Sequence, residues 1–170
     1  MNKRLSEKRL LNITLFYLSR YESSTDKVRA MLKRRLKRMA TKGEEIPPEA
    51  ESWIENVIQK VQDYAYLNDD RYAENQVRTL IGQGKSEKFI MAKLKQDGID
   101  TATTKRLIEA SGSNEKDRAI TFMRRKKIGP YRSKQDPTYF KKDMGTLARA
   151  GFSYDTIQSV LSESDLISIF

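Results

Sequence analysis

Two short stretches, LKQDGI at Leu94–Ile99 and LARAGF at Leu147–Phe152, carry leucine, glycine and a closing apolar residue in the same places. With Gly98 set on Gly151, the match continues downstream: Asp100 falls on Ser153, Leu107 on Val160 and Ile108 on Leu161. Helix stop, cap and apolar stripe coincide together. Such recurrence is the signature of stacked modules that cannot bury their apolar faces alone.

Apolar residues recur at helical spacing along nearly the whole chain, and no alternating run of β-branched residues lasts long enough for a strand. The expected class is all-α, with about nine helices in three repeats of three: 1–66, 67–112 and 113–170. In the first repeat Leu10, Leu11, Leu15 and Leu18 stripe a helix ending near Tyr21. Ser24 or Thr25 caps a second helix that runs to about Lys42 and stops at Gly43. Pro47 and Pro48 preset φ for a third, with Trp53, Ile54, Val57, Ile58 and Val61 inside. The acidic stretch GEEIPPEAE between them lengthens that turn.

The second repeat opens at Asn68, an N-cap, with Asp69 and Asp70 against the positive end of the helix dipole. Tyr72, Ala73, Val77, Leu80 and Ile81 face inward, Gly84 ends the helix, and Ser86 caps the next, striped by Phe89, Ile90 and Leu94. Gly98 and Asp100 stop and restart the chain before Leu107 and Ile108, and SGSN at Ser111–Asn114 reads as a linker. In the third repeat Ala119, Ile120 and Met123 share a face. Asp136 with Pro137 makes a capped start for a helix lined by Phe140, Met144 and Leu147. Ser153 caps the last helix, with Ile157, Val160 and Leu161 inside.

Composition narrows the chemistry. The 170 residues include neither cysteine nor histidine, which removes disulfides, thiolate and imidazole metal sites, and any Ser/His/Asp or Cys/His nucleophile. Lys3, Arg4, Lys8 and Arg9 precede a short apolar stretch, but no small-residue cleavage site follows, and no apolar run is long enough to span a bilayer. The expectation is a soluble, cytoplasmic monomer without a cofactor or metal. With 33 basic against 23 acidic residues, the net charge of +10 points to polyanionic partners.

Three features invite chemistry and fit structural roles better. GQGKS, Gly82–Ser86, imitates the tail of a phosphate-binding loop, but Thr79 stands where that loop needs glycine and a helix stands where it needs a strand. Asp69 and Asp70 are adjacent on a helix, so they do not face one another, and no third ligand is in view. Trp53 lies within an apolar stripe, which makes it core rather than a stacking platform.

The basic clusters differ. Lys27, Arg29, Lys33, Arg34, Arg35, Lys37, Arg38 and Lys42 lie between Lys27 and Lys42 with no acid among them. At 100° per residue, Val28, Met31, Leu32, Leu36 and Met39 form the apolar stripe, Arg29, Lys33, Arg34 and Lys37 fall opposite, and Arg35 lies within the apolar arc, where it must pair or snorkel. A helix face without interleaved acids repels itself, by roughly a few tenths of a kcal/mol per like pair, which suggests an external polyanion. Arg29, Lys33, Arg34, Lys37 and Arg38 are the candidate contacts from this helix. A second cluster joins Arg124, Arg125, Lys126, Lys127, Arg132, Lys134, Lys141 and Lys142 around a loop that offers Tyr131 for stacking. Eight such contacts to DNA phosphates would give a slope of log affinity against log salt of roughly −7. Direct base reading is disfavoured, because the helices after Gly98 and Gly151 offer only Lys105 with Arg106, and Tyr154, Asp155, Gln158 and Ser159.

YLNDDRYAENQVRTLIGQGKSEKFIMAKLKQDGI resembles the signature of the RecX family, bacterial regulators of the RecA recombinase, and RYESSTDKVRAMLKRRL at Arg20–Leu36 resembles the pattern of its first repeat. The similarity runs from about Leu10 onward, strongest over Tyr64–Asp100. It implies tandem three-helix repeats in an elongated, curved, basic molecule. It also implies binding along the RecA–DNA filament, with inhibition of strand exchange and ATP hydrolysis, and no catalytic residue set. The reading from charge alone leaves a second class open, a nonspecific DNA- or RNA-binding helical module without a recombinase partner.

Overall fold

The computed structural model describes residues 5–133, 136 and 138–167, with side chains as far as residue 162; Lys3, Arg4, Lys134 and Pro137 lie outside the described residues. Among the described residues there are helices and no strand. In chain order these are α1 (Glu7–Leu18), α2 (Thr25–Thr41), α3 (Ala50–Asp63), α4 (Asp69–Gly82), α5 (Glu87–Gln96), α6 (Thr101–Ala110), α7 (Glu115–Lys126), a 3-10 turn (Gly129–Tyr131), α8 (Tyr139–Arg149) and α9 (Tyr154–Ile167). The chain is all-α, as the spacing predicts. Contacts divide it into two compact units, Met1–Tyr72 with Asp97–Ile99, and Ala73–Gln96 with Asp100–Phe170.

In the first unit, Leu10 of α1, Val28, Leu32, Leu36 and Met39 of α2, and Ile54, Val57, Ile58 and Val61 of α3 form one core. Burying each large aliphatic side chain stabilises the fold by about 1.5–3 kcal/mol. Trp53 packs, half-buried, against this core, which fits the apolar-stripe assignment. α1 ends at Leu18, about a turn before Tyr21. Ser24 caps α2 by accepting from the Lys27 amide at 3.3 Å, and Gly43 ends that helix at φ +77°. Arg35 is half-buried, with Nε enclosed and unpartnered among the described residues. The acidic stretch after α2 is tied down by Glu44, whose carboxylate lies 3.5 Å from Arg9, and by Ile46 against the core.

The turn Asp97–Ile99 also belongs to this unit, and polar groups hold it. The Ser24 hydroxyl donates to the Asp97 carbonyl, the Tyr72 phenol donates to Asp97 Oδ2 at 2.7 Å, and Lys27 donates to the phenol oxygen at 3.0 Å. Asp69 Oδ1 accepts from the Thr25 amide at 2.7 Å. Thus Asp69 serves two helix starts: it lies in the first turn of α4 and fills an open amide of α2.

In the second unit, Ala119, Phe122 and Met123 of α7, Leu147 of α8, Phe152, and Ile157, Val160 and Leu161 of α9 form the core. Phe122 and Phe152 meet edge to face, 5.6 Å between centroids. Asn114 closes SGSN as the N-cap of α7, accepting from the Asp117 amide at 2.7 Å. From the first turn of α7, Glu115 accepts from the hydroxyls of Ser153 and Thr156, both at 2.6 Å. Burial pushes its carboxyl up, but these bonds outweigh burial and leave it below the ordinary value of 4.5. Two inward assignments differ. Phe89 is 40 % exposed beneath the Lys85 ammonium, while Ile90 and Leu94 take the inward positions; Phe140 is 36 % exposed on the first turn of α8, where Asp143 and Leu147 turn inward. Asp136, three residues before α8, accepts at Oδ1 from the Thr138 amide, so it shapes the approach rather than capping Tyr139.

The sequence repeat has a physical counterpart. Gly98 and Gly151 both sit at left-handed φ, +86° and +91°, and Asp100 and Ser153 both cap the following helix, accepting from Thr103 N at 2.8 Å and Thr156 N at 3.3 Å. The aligned carbonyls before the glycines, of Asp97 and Ala150, each accept from a serine that itself caps a helix: Ser24 for Asp97, Ser86 for Ala150. GQGKS is resolved by the same contacts. Thr79 lies inside α4, Gly84 is a left-handed helix stop, and Ser86 caps α5.

Candidate nucleic-acid interface

The apolar stripe of α2 is buried as the heptad-like spacing requires, which turns the basic face to solvent. Lys33, Arg34, Lys37 and Arg38 are exposed and Arg29 is half-buried. Their electrostatic states differ, because α3 delivers acids to one end of the face. Arg29 grips Glu55 with a two-pronged fork, Nε to Oε1 at 2.7 Å and Nη2 to Oε2 at 3.0 Å, and also pairs with Asp26. The hydrogen bond with Glu55 is the largest influence holding the Arg29 guanidinium above its ordinary value, and the same bond holds Glu55 below the usual carboxylate value. Lys33 stands 3.9 Å from Glu51. Arg34, Lys37 and Arg38 make no ion pair among the described residues, so uncompensated positive charge concentrates toward the carboxyl end of α2.

The second cluster is assembled in the other unit by the end of α7, the 3-10 turn and α8. Lys127 adopts a left-handed φ of +54° and turns the chain out of α7 directly after the exposed Arg124, Arg125 and Lys126. Arg124 lies over the Tyr131 ring at 5.4 Å, and Tyr131 is 36 % exposed. Arg132 lies 2.6 Å from Asp143 and 4.2 Å over the Tyr139 ring, while Lys142 approaches the same ring at 5.4 Å. Lys141 and Lys142 are exposed. Lys134 lies outside the described residues.

Two residues that the charge pattern does not single out organise this surface. Asp143, 4 % exposed, accepts from the Gly129 amide at 2.8 Å and from Arg132, and Tyr139 supplies the ring shared by Arg132 and Lys142. Their signal in the sequence is the spacing of Tyr139 and Asp143, four apart and therefore on one side of α8. Chemically, both surfaces can neutralise phosphates, and the second also offers the Tyr131 and Tyr139 rings for cation or base stacking. Among the described residues no cluster of three or more acidic side chains could hold a metal, and no helix is long and apolar enough to cross a membrane.

Comparison with known proteins places the helical framework. Residues 68–105 match the family model of the RecX second three-helix domain. A regulatory protein RecX of Myxococcus xanthus is 30% identical over 166 residues, covering 95% of this chain and 89% of that protein. One from Neisseria gonorrhoeae is 32% identical over 120 residues, covering 68% and 72%. The crystal structure of RecX from Lactobacillus salivarius superposes with a TM-score of 0.65 at 25% identity, over 94% of this chain and 97% of that one. A further RecX crystal structure, at 20% identity, shares the fold with a TM-score of 0.64. Sequence identity sustained along nearly the whole of both chains, on the same helical framework, makes this protein a member of the RecX family.

Proposed function

We propose that the chain is a non-enzymatic regulator that binds the RecA–DNA filament through its basic surfaces and damps strand exchange and ATP hydrolysis. The observation that carries the reading is the carboxyl-terminal half of α2, where Arg34, Lys37 and Arg38 stand exposed and unneutralised on a chain of this family. Like charges gathered on one helix cost stability unless something outside the chain uses them. The cluster of Arg124, Arg125, Lys126, Lys127, Arg132, Lys141 and Lys142 supplies a second cationic surface, with Tyr131 beside it. The three repeats, 1–66, 67–112 and 113–170, are the modules that present these faces, and the site of action is the cytoplasm, where the filament forms.

The test is charge reversal, Lys33→Glu with Arg34→Glu and Lys37→Glu, followed by helicity and inhibition of RecA ATPase. Weakened inhibition at unchanged helicity is expected; undiminished inhibition overturns the assignment of this face. The Arg124–Tyr131 stack favours a second reading, a nucleic-acid-binding helical module without a recombinase partner. Strand exchange separates the two. A filament regulator suppresses it well below the amount that coats the DNA, whereas a mere coat must saturate the DNA first.

A further inference from the structure

Neither basic surface accounts for the aromatic side chains left in water in the first unit. Between the end of α1 and the start of α4 lies a pocket of about 300 Å³, lined by Tyr21, Tyr66, Arg20, Arg71, Asn68 and Ser23. Tyr21 and Tyr66 are 59 % and 58 % exposed. Each is backed by a second ring, Tyr17 at 5.3 Å from Tyr21 and Tyr64 at 6.5 Å from Tyr66. The guanidinium of Arg20 lies 4.2 Å over the ring of Phe16, itself mostly exposed.

The polar groups of the pocket are incompletely used. Ser23 is 3 % exposed, and its buried hydroxyl has no hydrogen-bond partner among the described residues. Buried polar groups almost always find partners, so one left over beside a pocket marks a place where a ligand can supply it. Asn68 spends Oδ1 on the Arg71 amide, 2.8 Å away, to start α4, and its carboxamide N–H groups make no bond among the described residues. The Arg71 guanidinium stands 3.7 Å from Glu22, so the two arginines against one acid leave the rim positive.

We propose that this pocket receives an unstacked base of single-stranded nucleic acid. The base stacks on Tyr66, its polar edge meets Asn68 and, after rotation of the side chain, Ser23, and the neighbouring phosphate faces Arg20 and Arg71. A flat ring with donors and acceptors on its edge and an anion on its tether matches ring faces, an amide, a hydroxyl and two guanidinium groups. A paired duplex cannot offer this, because its bases are stacked between neighbours. The inference does not rest on the recombinase reading, since oligonucleotide alone suffices to test it.

The probes are labelled oligothymidylate, an abasic backbone of equal length, and duplex DNA, titrated in the absence of RecA. The native chain binds oligothymidylate about tenfold more tightly than the abasic strand, a ratio in the range that base stacking on an aromatic ring supplies. Tyr66→Ala removes that preference, Tyr66→Phe keeps it, and both leave helicity and duplex affinity unchanged. Iodouracil placed in the oligothymidylate crosslinks to Tyr66 on irradiation. Equal affinity of the native chain for thymidylate and abasic strands overturns the proposal. So does an undiminished preference in Tyr66→Ala, which would leave the pocket to a protein partner.

Discussion

The hydroxyl of Ser86 donates to the carbonyl of Ala150 at 2.6 Å, and the same oxygen accepts from the Phe89 amide at 3.2 Å. One side chain therefore starts α5 and satisfies the last turn of α8, just as Ser24 starts α2 and holds the carbonyl of Asp97. Removing it leaves an uncapped helix and an orphaned carbonyl. Ser86→Ala is expected to destabilise the protein by about 2 kcal/mol, and by more than Asp100→Ala, which loses a cap alone. Urea unfolding of the two variants measures the difference.

Gly84 and Gly43 separate two costs of left-handed backbone. Both have positive φ, +71° and +77°. A Cβ at Gly84 would lie 2.5 Å from the Phe122 amide nitrogen and 2.8 Å from the Arg118 carbonyl oxygen, whereas one at Gly43 meets nothing within 4 Å. Gly43→Ala should cost about 1 kcal/mol for conformation alone. Gly84→Ala must also push the backbone of α7 away and should cost roughly 2–4 kcal/mol. Thermal unfolding of the pair is the check.

Alkali should expose the Tyr72 phenol. Burial, then the hydrogen bond to Asp97, raises it above the ordinary tyrosine value of 10.0. The folded chain holds the proton where the unfolded chain releases it, so the stabilisation is complete below pH 10 and is lost as the pH rises beyond it. Tyr72→Phe should flatten this alkaline loss while lowering stability near neutrality by about 1–3 kcal/mol, since the Asp97 carboxylate loses a donor. Denaturation midpoints on either side of pH 10 measure both effects.

Salt dependence distinguishes neutralised from free cations on α2. If Arg34, Lys37 and Arg38 meet phosphates, replacing all three with alanine lowers the slope of log affinity against log salt by about 2–3. Arg29→Ala should leave that slope nearly unchanged and cost only about 0.2–1 kcal/mol of stability, because its charge is already committed to Glu55 and Asp26. Titrations with duplex DNA at several salt concentrations give both slopes.

Caps and stops were legible because they are local. Ser24, Asn68, Ser86, Asp100 and Ser153 each bond an amide three residues on, and Gly43, Gly84, Gly98 and Gly151 take the left-handed conformation. The inward stripes of α2 and α3 were legible for the same reason, since periodicity is a short-range signal. Partners brought from afar were not. Nothing near Arg29 announces Glu55, 26 positions later, and nothing near Gly129 announces Asp143. The charge pattern therefore located the basic faces but could not divide their residues into those that hold the fold and those left for a partner. Phe89 and Phe140 show the converse, since periodicity offers an inward place but not the packing that competes for it.

Asp143 gives the second basic surface a thermodynamic character of its own. By holding the Gly129 amide and the Arg132 guanidinium from a nearly solvent-free position, it fixes the short loop Gly129–Arg132 when the chain folds. The conformational entropy of ordering that loop is lost at folding, before any polyanion arrives. If a polyanion binds this surface, it would meet a smaller ordering penalty than at a free basic tail, and the favourable entropy of released counterions would be correspondingly less opposed.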